Sequence, residues 1–167
     1  MPIKTILTID PGTRYWGVSV FHGTEIIVCM VKNLSAKDSA RNRLLEVRRI
    51  FLCLYKAYDP DVLVIEKPYC FWNSQSKYLE SIIKEVIRLS KKKHMKVIEF
   101  SPRTVRKVVC NDRNATKQDI AKVICLSYPE LKIYLNQNRK YKDKYWGHMF
   151  DSIGLGICYL KKLKKSQ

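Results

Sequence analysis

The sequence has little of what usually marks linkers, membrane spans or exported scaffolds. Glycine and proline number only six each in 167 residues and no segment repeats, so nothing suggests a flexible linker. No apolar run approaches the ~18 residues of a membrane-spanning helix, and the first residues lack a signal-peptide pattern. We therefore expect residues 1–167 to form one domain inside the cell, with a basic tail from about residue 161.

Two further shortages narrow the function. The six cysteines are scattered and never form a C-x-x-C pair, which argues against a zinc knuckle or a thiol redox motif. Acidic residues are scarce, with 15 Asp and Glu against 32 Lys and Arg, and the formal net charge is +17. Such an excess exceeds what solubility requires and predicts a polyanionic partner, nucleic acid before any membrane surface.

The apolar pattern predicts an alternating order of strands and helices. Three strands come first, each with β-favouring residues and separated by glycine-containing turns; they are followed by helix, strand, helix, strand and further helices. The predicted strands are 5–10, 16–21, 25–31, 62–65 and 96–100. The predicted helices are 35–58, 75–93, one starting at Ser101-Pro102, 116–127 and 149–163.

This order resembles the ribonuclease H-like α/β fold, a mixed five-stranded sheet with helices on both faces. In that fold the first strand is central, and its carboxyl end opens into a crevice together with that of the next parallel strand. Asp10 and Glu66 directly follow these two apolar strands. A carboxylate at such a position needs solvent, a counter-charge or a metal ion. Alone, each could simply start a turn or pair with a lysine.

A third polar segment accompanies the last predicted helix. His148 and Asp151 are three residues apart, so they share one helix face. Either residue alone is more often structural, since an Asp in a first helical turn complements the helix dipole. Three separate segments nevertheless deliver Asp, Glu, His and Asp, which are ligand types for divalent cations such as Mg²⁺ or Mn²⁺.

These segments together resemble the RuvC family of Holliday junction resolvases. The matching motifs are I-D-P-G-T at 9–13, V-I-E at 64–66 and H-x-x-D-S at 148–152, and the resemblance covers nearly the whole chain. It implies that Asp10, Glu66 and Asp151 are catalytic metal ligands. His148 falls where some members carry His and others Asp. The implied reaction is two-metal hydrolysis of phosphodiester bonds with Mg²⁺, for which Mn²⁺ could substitute.

The resemblance also implies a substrate and an assembly. The family nicks four-way DNA junctions symmetrically as a homodimer, and the helix predicted over 75–93 would supply the dimer interface. Its apolar residues could equally belong to the core: Ile82, Ile83, Val86, Ile87 and Leu89. If His148 is a ligand, it must be neutral to bind metal, so activity should fall at acid pH.

Candidate DNA contacts flank the predicted metal site. Arg103, Arg106 and Lys107 precede a helix that opens with Lys117, and such side chains can neutralise phosphates. By resemblance Tyr69 would stack within the junction, and Phe71 and Trp72 lie close behind it. Rings of this kind stack on unpaired bases, although Phe71 and Trp72 could also be core residues.

Other functions compete with this interpretation. Sugar kinases and actin-like ATPases begin a related fold with a similar D-x-G-x-T loop, but they need two such domains and this chain has room for one. A RuvC-like nuclease acting on RNA, or on a wider range of branched DNA, would have the same metal site. A non-catalytic junction-binding protein would not need all four ligand-type side chains. The long basic and aromatic segment 134–146 leaves junction contacts and cleavage preference open.

Overall fold

The structure, a computed structural model, describes residues 3–35, 39–67, 74–136 and 142–165. Five strands and six α-helices follow one another in the described parts, with a short 3₁₀ turn at Pro129–Leu131. The strands are β1 (Thr5–Asp10), β2 (Tyr15–His22), β3 (Glu25–Asn33), β4 (Val62–Glu66) and β5 (Lys96–Phe100). The helices are α1 (Ala40–Tyr58), α2 (Ser74–Lys92), α3 (Pro102–Cys110), α4 (Lys117–Ser127), α5 (Lys132–Leu135) and α6 (Lys142–Lys165).

The five strands form one mixed sheet in the order β3-β2-β1-β4-β5. β1 pairs antiparallel with β2, and β2 with β3, whereas β1–β4 and β4–β5 are parallel. β1 is central and β4 lies beside it. The predicted mixed five-stranded sheet with helices on both faces is thereby confirmed.

Strand alternation divides the core into two layers. Leu7 and Ile9 of β1 pack with α1 and α2 on one face of the sheet. Ile6 of β1, with Val62 and Val64 of β4, packs with α3, α4 and α6 on the other face. Because side chains alternate along a strand, Asp10 points to the same face as Ile6, and Glu66 to the same face as Val64. Both carboxylates therefore face α6.

The helix boundaries differ most from the predictions at two places. α1 begins at Ala40 instead of Ser35. The Ser39 side chain caps this observed start by accepting a hydrogen bond from the Asn42 N–H. Leu45 of this helix is half exposed although it is apolar. α6 begins at Lys142, seven residues before the predicted start at Met149. The aromatic residues Tyr145 and Trp146 explain the extension, since their rings pack against Tyr15 of β2 and Tyr134 of α5 respectively, and these tertiary contacts favour the added turn.

The apolar residues of α2 belong to the core of this chain. Ile82, Ile83, Val86 and Leu89 are buried with α1 and the sheet, and Ile87 packs against the same cluster. An ion pair also joins α2 to α1, since Oε1 of Glu85 in α2 lies 2.5 Å from Nε of Arg48 in α1. The same oxygen lies 2.7 Å from Nη2 of Arg88, which is three residues further along α2. No helix among the described residues is long and apolar enough to cross a bilayer.

Candidate active site

Asp10 and Glu66 occupy neighbouring strand ends. β1 and β4 pair from Ile6 with Val62 to Ile9 with Ile65, so the next residue of each strand is one of these carboxylates. Asp10 is buried, with 7% of its side chain exposed, and Glu66 is half-buried. The strand pairing thus places two acidic side chains together, on the face of the sheet that α6 covers.

α6 supplies the two other predicted ligands. His148 and Asp151 lie within its second and third turns, so the predicted position of these residues at the helix start is wrong. Their spacing still places both on one face, and that face lies over Asp10. The Nδ1 atom of His148 is 2.6 Å from Oδ2 of Asp10. An ionised carboxylate can only accept, so the imidazole N–H donates in this bond.

Gly17 allows α6 to approach so closely. It pairs with Asp10 across β1 and β2, and a Cβ atom built on it would lie 1.6 Å from the backbone oxygen of His148. Any side chain at this position would therefore displace the helix that carries His148 and Asp151. We did not predict this role for Gly17; a glycine within an apolar strand is the only sequence signal for it.

A lysine from α4 completes the group. Thr116 caps α4 through a capping box with Asp119, as predicted for its helix start. The next residue, Lys117, forms an ion pair with Asp151. Most of the Lys117 side chain is exposed, whereas only 11% of the Asp151 side chain is. Lys117 also lines a cavity of about 90 Å³ with Glu66, Arg106 and Asp151.

The crowded carboxylates shift one another's protonation. Burial, followed by the charges of Asp10 and Asp151, raises the pKa of Glu66 to about 8 against the opposing effect of Lys117. Burial and Asp10 likewise raise the pKa of Asp151. Burial would lower the pKa of Lys117, but the contact with Asp151 outweighs it and raises that pKa. Negative charge at this site therefore exceeds what the nearby cations neutralise.

The donor set suits a hard divalent cation, although the side chains are engaged elsewhere. Within residues 3–35, 39–67, 74–136 and 142–165, no three His, Cys, Asp or Glu side chains are arranged as a ready-made metal site. The reason lies in the two pairs just described, since Asp10 contacts His148 and Asp151 contacts Lys117. The three carboxylates are nevertheless ligand types for Mg²⁺ or Mn²⁺, and a divalent cation would neutralise the charge that holds the proton on Glu66.

Three buried hydroxyl groups connect the sheet to α6 next to the candidate site. Thr8 contacts Ser19 side chain to side chain, and Ser152 of α6 donates to the backbone oxygen of Met149 at 2.7 Å and reaches Ser19 at 3.4 Å. All three hydroxyl residues are fully buried. Thr8 lies two residues before Asp10 in β1, and Ser152 directly follows Asp151 in α6. Through Ser19 of β2, this polar layer joins β1 and β2 to α6. The sequence analysis did not predict this polar layer, because each of the three residues by itself is typical of an ordinary strand or helix position.

The remaining predicted contact residues fall into two groups. Arg103 and Lys107 are exposed on α3, beside the half-buried Arg106 that lines the cavity. Tyr69, Phe71 and Trp72 lie outside the described residues.

A group of aromatic rings, which was not predicted, lies beside His148. The ring of Tyr15 is 6.0 Å from the imidazole and 5.5 Å from the ring of Tyr145, and all three side chains are half-buried.

Comparison with known proteins agrees with this architecture. Among curated relatives, the crossover junction endodeoxyribonuclease RuvC of Cytophaga hutchinsonii is 25% identical over 98% of this chain and 81% of its own length. The protein of the same name from Chlamydia caviae is also 25% identical, over 93% of this chain and 92% of its own.

Solved structures share the fold at lower identity. RuvC of Thermus thermophilus superposes with a TM-score of 0.75 and 15% identity, covering 97% of this chain and 96% of its own. The yeast mitochondrial Holliday junction resolvase Ydc2 gives 0.68 and 17%, covering 96% and 79%. The sequence pattern described as crossover junction endodeoxyribonuclease RuvC matches residues 6–138, most of the chain. The chain therefore belongs to the RuvC family of metal-dependent endodeoxyribonucleases.

Proposed function

We propose that this protein resolves four-way DNA junctions by paired, symmetric hydrolysis of phosphodiester bonds. The observation that carries the proposal is the convergence of Asp10, Glu66 and Asp151 at one edge of the sheet, beside cationic side chains from two helices. A nuclease site needs both features, since carboxylates hold the metal and cations face the phosphate. A relative in the same family, RuvC of Thermus thermophilus, has been solved in complex with a Holliday junction substrate.

The proposed metal ligands are Asp10, Glu66, His148 and Asp151, and the proposed metal is Mg²⁺, two ions per site, with Mn²⁺ as a substitute. When bound, these ions would activate the attacking water and stabilise the leaving oxygen. The protein itself orients the ligands: the strand ends fix Asp10 and Glu66, and the close packing of α6 on Gly17 fixes His148 and Asp151. The low exposure of the Asp10 and Asp151 side chains, 7% and 11%, limits the water around these two carboxylates.

The proposed phosphate contacts begin at Lys117 and Arg106, which line the cavity of Glu66 and Asp151. Arg103 and Lys107 extend the positive charge along α3. Together with the net charge of +17, these residues favour the DNA backbone as partner. Tyr69 and Phe71 are proposed to stack on bases at the junction.

We further propose that the working form is a homodimer. Resolution requires two nicks in strands related by symmetry, which a twofold pair of active sites provides. Because the apolar face of α2 is already packed in the core, any interface on this helix must use its other side chains.

The test compares a labelled four-way junction with linear duplex, flap DNA and a matched RNA junction, in Mg²⁺, Mn²⁺ or EDTA. Asp10→Asn removes a proposed ligand, and Glu25→Gln removes an exposed carboxylate at the start of β3 as a matched control. We expect symmetric nicking of the DNA junction that requires the metal, is lost in Asp10→Asn and persists in Glu25→Gln.

Other outcomes redirect the assignment. Faster cutting of flaps or RNA would overturn the proposed substrate and leave the metal site standing. Junction binding without cleavage in any metal would make the protein a binding module.

A further inference from the structure

A wide groove lies between α3, the residues just after it and the last turns of α6. It has a volume of about 780 Å³, and of the ten lining residues in the described part of the chain seven are Lys or Arg and none is Asp or Glu. One wall carries Arg103 and Lys107 of α3 and Arg113 beyond it, and the other carries lysines from Lys161 to Lys165. We call this feature the basic groove. It is distinct from the smaller cavity that holds Glu66 and Asp151.

The two walls are held together by contacts of their own. The Nζ atom of Lys161 donates to the backbone oxygens of Val108 and Val109 at 3.2 and 3.5 Å, near the carboxyl end of α3. Lys162 lies over the ring of Phe100, 4.8 Å from its centroid. These two lysines fasten the end of α6 to α3 and β5, so the groove is a fixed feature of the folded chain.

The other cations of the groove have no such role. Within the part of the chain that the structure describes, Arg103, Lys107, Arg113, Lys164 and Lys165 are exposed and form no ion pair. Like charges that face one another across a groove repel, and an anion between them removes the repulsion. The arrangement therefore favours a bound polyanion.

The groove also has a defined relation to the active site. On α3, Arg106 lines the catalytic cavity while Arg103 and Lys107 line the groove, so one helix borders both. Along α6, Lys161 to Lys165 follow Asp151 by ten to fourteen residues, which is about 15–21 Å at 1.5 Å per residue. That distance corresponds to roughly four to six base pairs at 3.4 Å each.

We propose that the basic groove binds the phosphate backbone of a duplex arm, about four to six base pairs from the bond that is cut. The inference rests on the proposed function and adds a second contact region to it. None of the described residues that line the groove is aromatic, and its cations sit on long, exposed side chains, so it recognises backbone charge and not base sequence.

The test is a thermodynamic cycle on junction binding in EDTA, where the DNA stays uncut. One partner of the cycle is the triple variant Arg113→Gln, Lys164→Gln and Lys165→Gln. The other is a junction whose phosphates at about four to six nucleotides from the cut site are replaced by uncharged methylphosphonates. A matched protein control, Arg41→Gln, Arg49→Gln and Lys56→Gln, removes the same charge from exposed positions of α1 on the opposite face of the sheet.

We expect the triple variant to bind the native junction about 10- to 100-fold more weakly, with a salt slope smaller by about two to three. We expect the methylphosphonates to weaken wild-type binding several-fold but to leave the triple variant unaffected, and the opposite-face control to behave as wild type. The groove assignment would be overturned if the affinity losses from the triple variant and from the methylphosphonates simply added when the two were combined. A triple variant that binds as tightly as wild type would overturn it as well. Failure of the wild type to cut any junction in Mg²⁺ would instead overturn the proposed function.

Discussion

Replacing Gly17 with alanine should show how much activity depends on the position of α6, as distinct from the stability of the fold. The added Cβ would lie 1.6 Å from the His148 backbone oxygen and 2.2 Å from its carbonyl carbon, whereas real Cβ atoms stay at least 3.0 Å from such neighbours. The gap between β2 and α6 must therefore open by about 1.4 Å. His148 and Asp151 move with the helix, while Asp10 stays on the strand beside Gly17.

A displacement of this size has a large expected effect on catalysis. Misplacing catalytic groups by ~1 Å can lower a rate by about 100-fold, so we expect at least that loss in metal-dependent junction cleavage. Forcing a methyl group into a packed core also destabilises a protein by about 1–3 kcal/mol. The assays are single-turnover cleavage at saturating DNA, thermal unfolding, and junction binding in EDTA, which should change little because the cationic surface is intact.

Two other glycines of α6 provide controls. Gly147 directly precedes His148, but a Cβ there meets nothing within 4 Å, so Gly147→Ala should keep activity and stabilise the helix by up to ~1 kcal/mol. At Gly156 a Cβ would lie 2.2 Å from the buried ring of Phe21, so Gly156→Ala should lower stability while cutting normally when folded. Wild-type cleavage by folded Gly17→Ala, or an equal loss in Gly156→Ala, would refute the reasoning.

Two further predictions concern Glu66 and Thr116. The pKa of Glu66 in the metal-free folded chain is about 8, above the ordinary 4.5, so the unfolded chain ionises first and folding stability falls as pH rises from 4.5 to 8. Glu66→Gln should therefore unfold at a higher temperature than wild type in EDTA at pH 8 and at nearly the same temperature near pH 4.5; a difference that is independent of pH would contradict this explanation. Thr116→Ala removes the capping box ahead of Lys117 and should cost about 1 kcal/mol in denaturant unfolding, whereas Thr116→Ser should retain most of the stability, and equal losses in both variants would argue against the cap.

Much of the sheet could be predicted because its signals are local. β1 and β5 have the bounds that the apolar runs predicted, and Pro102 and Thr116 mark helix starts as expected. The start of α6 could not be predicted in this way, since residues 142–148 contain lysines, a glycine and aromatic rings without a helical apolar stripe. Packing of Tyr145 on Tyr15 and of Trp146 on Tyr134 decides that turn, and such contacts join residues that become neighbours only when the chain is folded.

The candidate site could likewise be predicted from the sequence only in part. By itself the sequence determined the candidate ligands and the elements that carry them: Asp10 and Glu66 each end an apolar strand, and His148 and Asp151 share a helix face through their spacing. Only the tertiary structure decided which partners these groups meet, since the contacts of Asp10 with His148 and of Asp151 with Lys117 join residues 138 and 34 positions apart. The fit of α6 against Gly17 and the basic groove between α3 and α6 have the same origin. Each depends on the distance between two elements, which packing sets and no local pattern encodes.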